Sequence, residues 1–222
     1  MTAPCILRAL LALYAIAAPV AAQDFVTERG AVQVTTVAEG LERPWSLAFL
    51  PDGRMLVTER PGRLRIVTQE GAVSAPIAGV PAVVAQGQGG LLDVVLDPEH
   101  ATNGRIYLSY AEDRGSGTNA TAVMRARLSG MMLEEPQIIF RQQPAVESPA
   151  HFGGRLVFGR DGRLFVTLGE RAGRHFIDRA QSLDDHFGKI IRIEQPEVIR
   201  GQFGRRGGQW PAGPAATRFV QQ

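Results

Sequence analysis

The sequence lacks the cysteines and long apolar runs on which disulfide-stabilised domains, cysteine-ligated metal sites and membrane proteins rely. It contains 1 cysteine in 222 residues, Cys5, which excludes a disulfide framework and a cysteine-ligated metal centre. Its sustained apolar run, Leu10 to Ala18, is too short to span a bilayer as a helix. Aromatic residues make up 7% of the chain and do not alternate with clustered basic residues. The composition therefore indicates a folded domain without a nucleic-acid partner.

The first 22 residues are typical of a secretory signal peptide. Arg8 supplies the positive start, Leu10 to Ala18 the apolar centre, and Val20–Ala22 the small residues before a cleavage point. We therefore expect an exported mature protein that starts at Gln23 and has no membrane span after cleavage. Because Cys5 lies in the removed segment, the exported chain is expected to contain no thiol.

The body of the chain carries a slight excess of negative charge, although the formal net charge of the whole sequence is +2. All 22 acidic residues lie before Arg200, and the segment from Gln23 to Ile199 carries 19 basic residues against those 22 acidic ones. The basic character therefore belongs to the two ends of the chain. A body with a net charge of −3 does not favour binding to a polyphosphate backbone.

Three segments of the body share one order of elements: an apolar strand, a turn rich in Pro, Asp or Gly, a second apolar strand and, after a gap, a further strand. They span residues 46–67, 89–129 and 153–194. Their turn glycines, Gly53, Gly104 and Gly162, are 51 and 58 residues apart, which is the period of propeller blades. The sequence therefore predicts an all-β fold with about three propeller blades, and a short helical turn near residues 180–187.

The alternation of apolar residues stops at the end of the segment 23–195. Residues 196–222 are mainly Gly, Arg, Gln, Pro and Ala with a single acid, Glu197, a composition typical of a disordered extension. The chain has 23 arginines and one lysine, as expected of a GC-rich gene, and a shifted reading frame in such a gene tends to encode these residues. We therefore expect a disordered tail that arises from a frameshift or premature stop near residues 193–199, which sequencing of the downstream DNA tests.

One hairpin, from His151 to Glu170, carries the residues best suited to chemistry. Apolar residues alternate on both sides of Asp161 and Gly162, a pair favoured in two-residue hairpin loops. Such a loop predicts that Glu170 lies opposite Gly153, with His151 two residues further along the same face. Diagonal neighbours are about 7–8 Å apart, so the imidazole and the carboxylate are expected to meet. A histidine oriented by a carboxylate is a common general base.

Four blocks of sequence carry a resemblance to a known family, namely residues 41–67, 87–110, 151–170 and 187–194. They include LERPWSLAFLPDGRMLVTE, GQGGLLDVVLDPEH, HFGGRLVFGRDGRLFVTLGE and FGKIIRIE. The chain resembles the soluble aldose sugar dehydrogenases that depend on pyrroloquinoline quinone (PQQ), also called the glucose/sorbosone dehydrogenase family. The resemblance implies the N-terminal portion of a six-bladed β-propeller of the bacterial periplasm. It also implies PQQ and calcium as cofactors, an aldose sugar as substrate and a separate electron acceptor.

The resemblance implies roles for three residues. His151 corresponds to the family's catalytic base, which takes the proton of the anomeric hydroxyl while a hydride passes to the quinone. Glu170 resembles the acidic residue that holds this histidine in one tautomer, and Gln88 resembles a glutamine that hydrogen-bonds the quinone. Ala150 differs from the family, in which many members have a polar or acidic residue. The calcium ligands and the cations that bind the quinone carboxylates are expected in the C-terminal half, so we expect the 222-residue chain to be inactive.

Other charged and histidine residues are predicted to lie outside the catalytic machinery. Arg155 and Lys189 are predicted to be structural or solvated charges. His100, His175 and His186 are predicted to be surface residues, since their spacing is not that of metal ligands. Two other functions stay open: a sugar-lactone hydrolase of the gluconolactonase-like propeller type, and a non-catalytic propeller that binds protein or glycan.

Overall fold

The computed structural model describes residues 23–194 and 217–220. The predicted signal peptide, residues 1–22, lies outside the described residues. Described residues up to Val37 form one compact unit, and those from Ala38 onwards form a second. In the first unit, strands β1 (Gln23–Thr27) and β2 (Gly30–Val34) pair as an antiparallel hairpin.

The described residues of the second unit form three antiparallel sheets, in each of which consecutive strands pair. Blade 1 consists of β3 (Pro44–Phe49), β4 (Met55–Glu59) and β5 (Arg63–Val67). Blade 2 consists of β6 (Leu91–Leu96), β7 (Arg105–Gly115), β8 (Thr118–Ser129) and β9 (Met132–Arg141), with a short helix α1 (His100–Asn103) before β7. Blade 3 consists of β10 (Gly153–Phe158), β11 (Leu164–Leu168), β12 (Ile190–Ile193) and β13 (Thr217–Val220). The prediction of an all-β fold with about three propeller blades is confirmed.

Among the described residues, one hydrophobic core lies between blades 1 and 2 and another between blades 2 and 3, and side chains of blade 2 alternate between them. On β7, Ile106 and Leu108 pack into the core shared with blade 1, whereas Tyr107 packs into the core shared with blade 3. On β8, Met124 packs into the core shared with blade 1, and Val123 packs into the core shared with blade 3. Neighbouring side chains of a strand point to opposite faces. The inner strands of blade 2 are therefore buried on both faces, which explains the apolar run of β6, LLDVVL, broken only by Asp93.

The tip of blade 3 is a five-residue turn and not the predicted two-residue loop. The Gly159 N–H donates to the Arg163 carbonyl at 2.8 Å, and the Gly162 N–H donates to the Gly159 carbonyl at 3.0 Å. Asp161 accepts the Arg163 N–H at 3.1 Å, and Gly162 has a φ of 75°. The single left-handed residue, a glycine, closes the turn. Residues 50–54 form the same turn at the tip of blade 1.

The five-residue turn changes the register of the blade 3 hairpin. Phe158 pairs with Leu164, and a bulge then brings Leu168 opposite Gly153. The predicted pairing of Glu170 with Gly153 is therefore wrong. Because a bulge adds one residue to one strand of a pair, β10 and β11 do not follow one fixed pairing sum.

Helical structure in blade 3 lies earlier in the chain than predicted. Helix α2 (Arg174–Ile177) leads into a 3₁₀ helix (Asp178–Gln181), so the prediction for residues 180–187 is wrong beyond Gln181. Asp185 accepts the Phe187 N–H at 2.8 Å, a side-chain bond to the local backbone that competes with helix formation.

None of the helices in the described part of the chain is long and apolar enough to cross a membrane.

The predicted tail contributes one strand to blade 3. β13 pairs antiparallel with β12, with Val220 opposite Ile190. The sequence of this strand, TRFV, is rich in residues that favour strands, and the expectation of a disordered extension over the rest of the tail stays a prediction. Residues 195–216 and 221–222 lie outside the described residues.

Glu59, at the end of β4, is a fully buried carboxylate between two arginines. It accepts hydrogen bonds from Arg63 at 2.7 Å, from Arg65 at 2.8 Å and from the Glu42 N–H at 2.5 Å. Burial alone raises the pKa of a carboxyl. Here the hydrogen bonds outweigh burial and lower the pKa of Glu59 from 4.5 to about 2. The folded chain therefore favours the charged form of this group.

We expect Glu59 to make folding depend on pH between about pH 4.5 and about pH 2. Its pKa is lower in the folded state than in the unfolded state. Its contribution, about 3 kcal/mol by linkage, is therefore complete above pH 4.5 and is lost as the pH falls towards 2. Urea unfolding at about pH 5.5 and about pH 3 should show a larger loss of stability in the wild type than in Glu59→Gln.

A matched control for this prediction is Glu42→Gln, because the Glu42 carboxylate binds the same Arg63 but is 56% exposed. This variant should keep the pH dependence of the wild type. Equal losses of stability in the wild type and Glu59→Gln would show that Glu59 is not the titrating group.

Candidate active site

Three loops meet around His151, in the segment that leads into β10. Gln88, in the glycine-rich loop before β6, donates its N–H to the Pro149 carbonyl at 2.7 Å, and its side-chain Oε1 accepts the His151 N–H at 2.9 Å. From the opposite side, the Arg171 N–H donates to the His151 carbonyl at 3.3 Å. The backbone of the histidine is therefore bound on both sides by other loops.

Two glycines allow these loops to approach each other. A Cβ on Gly87, which has a φ of 58°, would lie 2.3 Å from the Pro149 carbonyl oxygen. A Cβ on Gly169 would lie 1.9 Å from the His151 carbonyl oxygen. Both separations are too short for any side chain. The glycines at these two positions are therefore required for the loops to pack against His151.

The imidazole of His151 contacts the carboxylate of Glu170 through a hydrogen bond between Nδ1 and Oε1. The hydrogen bond from His151 is the main cause that lowers the pKa of Glu170, while burial opposes it. The His151 side chain is 47% exposed and that of Glu170 is 26% exposed. A carboxylate on Nδ1 fixes the tautomer that carries its hydrogen there, so Nε2 is the nitrogen that can accept a proton.

Three residues at this site have left-handed backbone conformations, which residues other than glycine rarely adopt. His151, Arg171 and Ala172 have φ angles of 49°, 70° and 58°. Each such residue costs about 1–3 kcal/mol and persists only where its surroundings hold it. Strained residues of this kind cluster at functional sites. The strained backbone and the His151–Glu170 contact therefore both indicate a functional site in these loops.

The structure brings together all three residues that the sequence predicts for the site. Gln88 binds the backbone of His151, and Glu170 binds its ring. The predicted meeting of His151 and Glu170 is seen in the structure, although the strand register used to predict it is wrong. The catalytic role of His151, the orienting role of Glu170 and the cofactor-binding role of Gln88 stay predictions.

Arg155 and Lys189 are structural, in line with their prediction. Arg155 pairs with Asp93 at 3.2 Å, and its guanidinium lies 4.5 Å from the centre of the Trp45 ring. The buried ammonium of Lys189 donates to three backbone carbonyls, at 2.6, 2.9 and 3.1 Å. Both side chains therefore stabilise the fold, and none of these contacts is to His151.

The remaining histidines differ in their surroundings. His175 is exposed, as predicted. His100 and His186 are partly buried, so the prediction that they are surface residues is wrong. The His186 ring lies 5.2 Å from that of Phe140, its Nδ1 accepts the Gln143 N–H at 3.0 Å, and burial lowers its pKa. In residues 23–194, no cluster of His, Cys, Asp and Glu side chains could hold a metal ion.

Asp93, on β6, is an important residue that the sequence analysis missed. Its carboxylate accepts the Leu156 N–H of β10 at 2.7 Å and the Ser46 hydroxyl of β3, and it pairs with Arg155. It therefore ties together the first strands of all three blades. One signal could have identified it: a charged residue interrupts the apolar run of residues 91–96, LLDVVL.

Comparison with known proteins gives matches along most of the chain. Residues 41–200 match the family described as Glucose / Sorbosone dehydrogenase. Aldose sugar dehydrogenase YliI of Escherichia coli is 46% identical over 171 residues, which are 75% of this chain and 45% of that protein. The chain therefore spans about half the length of this relative.

Solved structures show the same relationship. The soluble aldose sugar dehydrogenase of E. coli in its apo form is 47% identical, with a TM-score of 0.66 over 71% of this chain and 45% of that one. The PQQ-bound form of aldose sugar dehydrogenase from Streptomyces coelicolor is 29% identical, with a TM-score of 0.61 over 90% of this chain and 55% of that one. From the family match, the identity and the shared fold, the chain belongs to the glucose/sorbosone dehydrogenase family.

Proposed function

We propose that this chain supplies the proton-accepting part of a PQQ-dependent dehydrogenase that oxidises the anomeric carbon of an aldose to a lactone. The observation that carries the proposal is the His151–Glu170 contact, in which an exposed imidazole is held through Nδ1 by a carboxylate. The relatives support it, since one is named an aldose sugar dehydrogenase and another was solved with PQQ bound.

We assign a task to each side chain on the basis of these contacts. Nε2 of His151 takes the proton of the anomeric hydroxyl, while the hydride of the same carbon leaves with two electrons. The Glu170 carboxylate stabilises the imidazolium that forms. Oε1 of Gln88 is occupied by the His151 N–H, so its amide NH₂ is the group that can donate to a ligand. PQQ, when bound, supplies the two-electron acceptor.

The residues around His151 fit the reacting end of a quinone but not its three carboxylates. Such anions need cationic partners, and the two arginines that border the site bind backbone instead. Arg60 donates to the carbonyls of Gly87 and Gly89, and Arg171 donates to carbonyls on the far side of the His151 loop. We propose that calcium and the cations for the carboxylates come from the part of the family fold that this chain does not span. The isolated chain is then expected to be inactive.

The two alternative functions are less well supported by the site. A lactone hydrolase of the propeller type depends on carboxylates and asparagines around a metal, and the His151–Glu170 contact is not its signature. A propeller that only binds protein or glycan needs neither residue. Replacement of both would then leave its binding unchanged.

The proposal can be tested with a chimera. In this protein, residues 41–194 replace the matching segment of the E. coli aldose sugar dehydrogenase. With PQQ, calcium, glucose and a reducible dye, we expect sugar-dependent dye reduction that requires PQQ. The 222-residue chain alone should reduce no dye under the same conditions. A folded chimera without turnover would contradict the proposed function. Turnover by the chain alone, if abolished by His151→Ala, would contradict its proposed dependence on the second half.

A further inference from the structure

Arg171, directly after Glu170, is the largest fully buried side chain among the described residues and is 1% exposed. Its Nε donates to the Ala150 carbonyl at 3.0 Å, and its Nη2 donates to the Ser148 carbonyl at 2.6 Å. The same guanidinium donates to the backbone carbonyl and the side-chain oxygen of Asn119 on β8. One side chain therefore joins the loop before His151 to the neighbouring blade.

The partners of this buried cation are neutral. Every acceptor among its described hydrogen bonds is a carbonyl or amide oxygen, and the guanidinium lies 3.8 Å from the centre of the Phe152 ring. Burial lowers the pKa of Arg171 to about 10. A buried charge without an ionic partner is costly, so simple packing does not explain an arginine here. The arginine is explained instead by its planar set of hydrogen-bond donors, which reaches three chain positions at once.

The backbone of Arg171 also binds the loop that its side chain holds. Its N–H donates to the His151 carbonyl at 3.3 Å, and its own carbonyl accepts the Ser148 hydroxyl at 2.6 Å. His151 and Arg171 both have left-handed backbones, which ordinary loops do not maintain without support. Contacts from the Arg171 side chain and backbone together supply that support.

We propose that Arg171 is a positioning residue, whose guanidinium fixes the backbone of residues 148–152 so that the His151 imidazole is presented to Glu170 and to the substrate. The proposal rests on the proposed role of His151 as base. Arg171 does not itself face the sugar, because its donors are occupied by carbonyls. It acts only through the placement of His151.

The test uses Arg171→Met in the 222-residue chain, since methionine keeps much of the length and removes every donor. Two readouts need no turnover: amide exchange at the His151 N–H, and the carboxyl pKa of Glu170 by NMR. We expect exchange at His151 to accelerate about tenfold or more, beyond any change in global stability. We expect the pKa of Glu170 to rise towards its ordinary range, because the hydrogen bond from His151 is what lowers it.

Arg65→Met is the matched control. Arg65 is also mostly buried and donates to Glu59 and to the Ser74 carbonyl in blade 1. Its loss should lower global stability without changing exchange at His151 or the pKa of Glu170. If Arg171→Met behaves like this control, Arg171 is structural only and the proposal is overturned.

Asn119→Ala keeps the proposal testable if Arg171→Met does not fold. This variant removes one acceptor of the guanidinium and leaves the arginine in place. It should shift both readouts in the same direction by smaller amounts, and unchanged readouts would overturn the proposal. A wild-type Glu170 with an ordinary pKa would instead contradict the His151–Glu170 contact, and with it the proposed function.

Discussion

His151→Ala is expected to lower the kcat of the chimera by about 10²–10⁴-fold, the contribution of a positioned general base. The reason is geometric: Nε2 is the proton acceptor that the Glu170 carboxylate orients, and an alanine leaves the anomeric hydroxyl without one. Glu170→Gln should cause a smaller loss, because the ring stays in place but loses the charge that stabilises the imidazolium. Steady-state dye reduction at saturating glucose measures both effects.

His100→Ala is the control for this prediction. His100 binds a backbone carbonyl at the tip of blade 2 and lies outside the site, so its replacement should leave kcat unchanged. A His151→Ala chimera that keeps the kcat of its parent, while still folded, would exclude His151 as the base.

The largest effect on stability is expected for Asp93→Ala, which should lose about 3–5 kcal/mol of the free energy of unfolding. The variant leaves the buried Leu156 N–H and the Ser46 hydroxyl without their acceptor and removes the partner of Arg155. Because Asp93 on blade 2 thereby loses its partners on blades 1 and 3, the substitution should also loosen the packing between blades. Urea unfolding at neutral pH measures the change.

Asp161→Ala is the control for Asp93. The Asp161 carboxylate pairs with Arg163 in an exposed turn and is 45% exposed. Exposed ion pairs are worth little, so this variant should lose no more than about 1 kcal/mol. A similar loss in both variants would show that Asp93 does not tie the blades together.

The strands could be predicted from the sequence because their signals are local. Alternating apolar residues and turn glycines define two or three strands of each blade, and Gly53, Gly104 and Gly162 all have the left-handed backbone that the alignment of repeats implies. The outer strands β9 and β13 lack this clear alternation. They pair with a neighbour that is already formed, so the partner strand decides their structure.

The contact between His151 and Glu170 was predicted correctly from a wrong register. A one-residue slip normally moves a side chain to the other face of a sheet. Here both residues lie just beyond the paired strands, in loops with left-handed residues, so strand alternation no longer applies to them. The geometry of the contact comes from Gln88 and Arg171, which bind the backbone of His151.

Asp93 and Arg171 could not be placed from the sequence because their partners are distant. Asp93 binds Leu156, which is 63 residues away, and Arg171 binds Asn119, which is 52 residues away. Only the packing of three blades brings these groups together. A charged residue in an apolar strand signals that a partner exists, but not which one.

Chemical rescue tests the central claim, that His151 takes the proton, most directly. Imidazole and related amines would be added to the His151→Ala chimera during dye reduction. We predict that the rate recovers with added base, reaches saturation and follows the uncharged fraction of each amine as the pH changes. A rate that stays at the level of the variant with every base, in a chimera that still binds PQQ, would contradict the assignment of His151 as the proton acceptor.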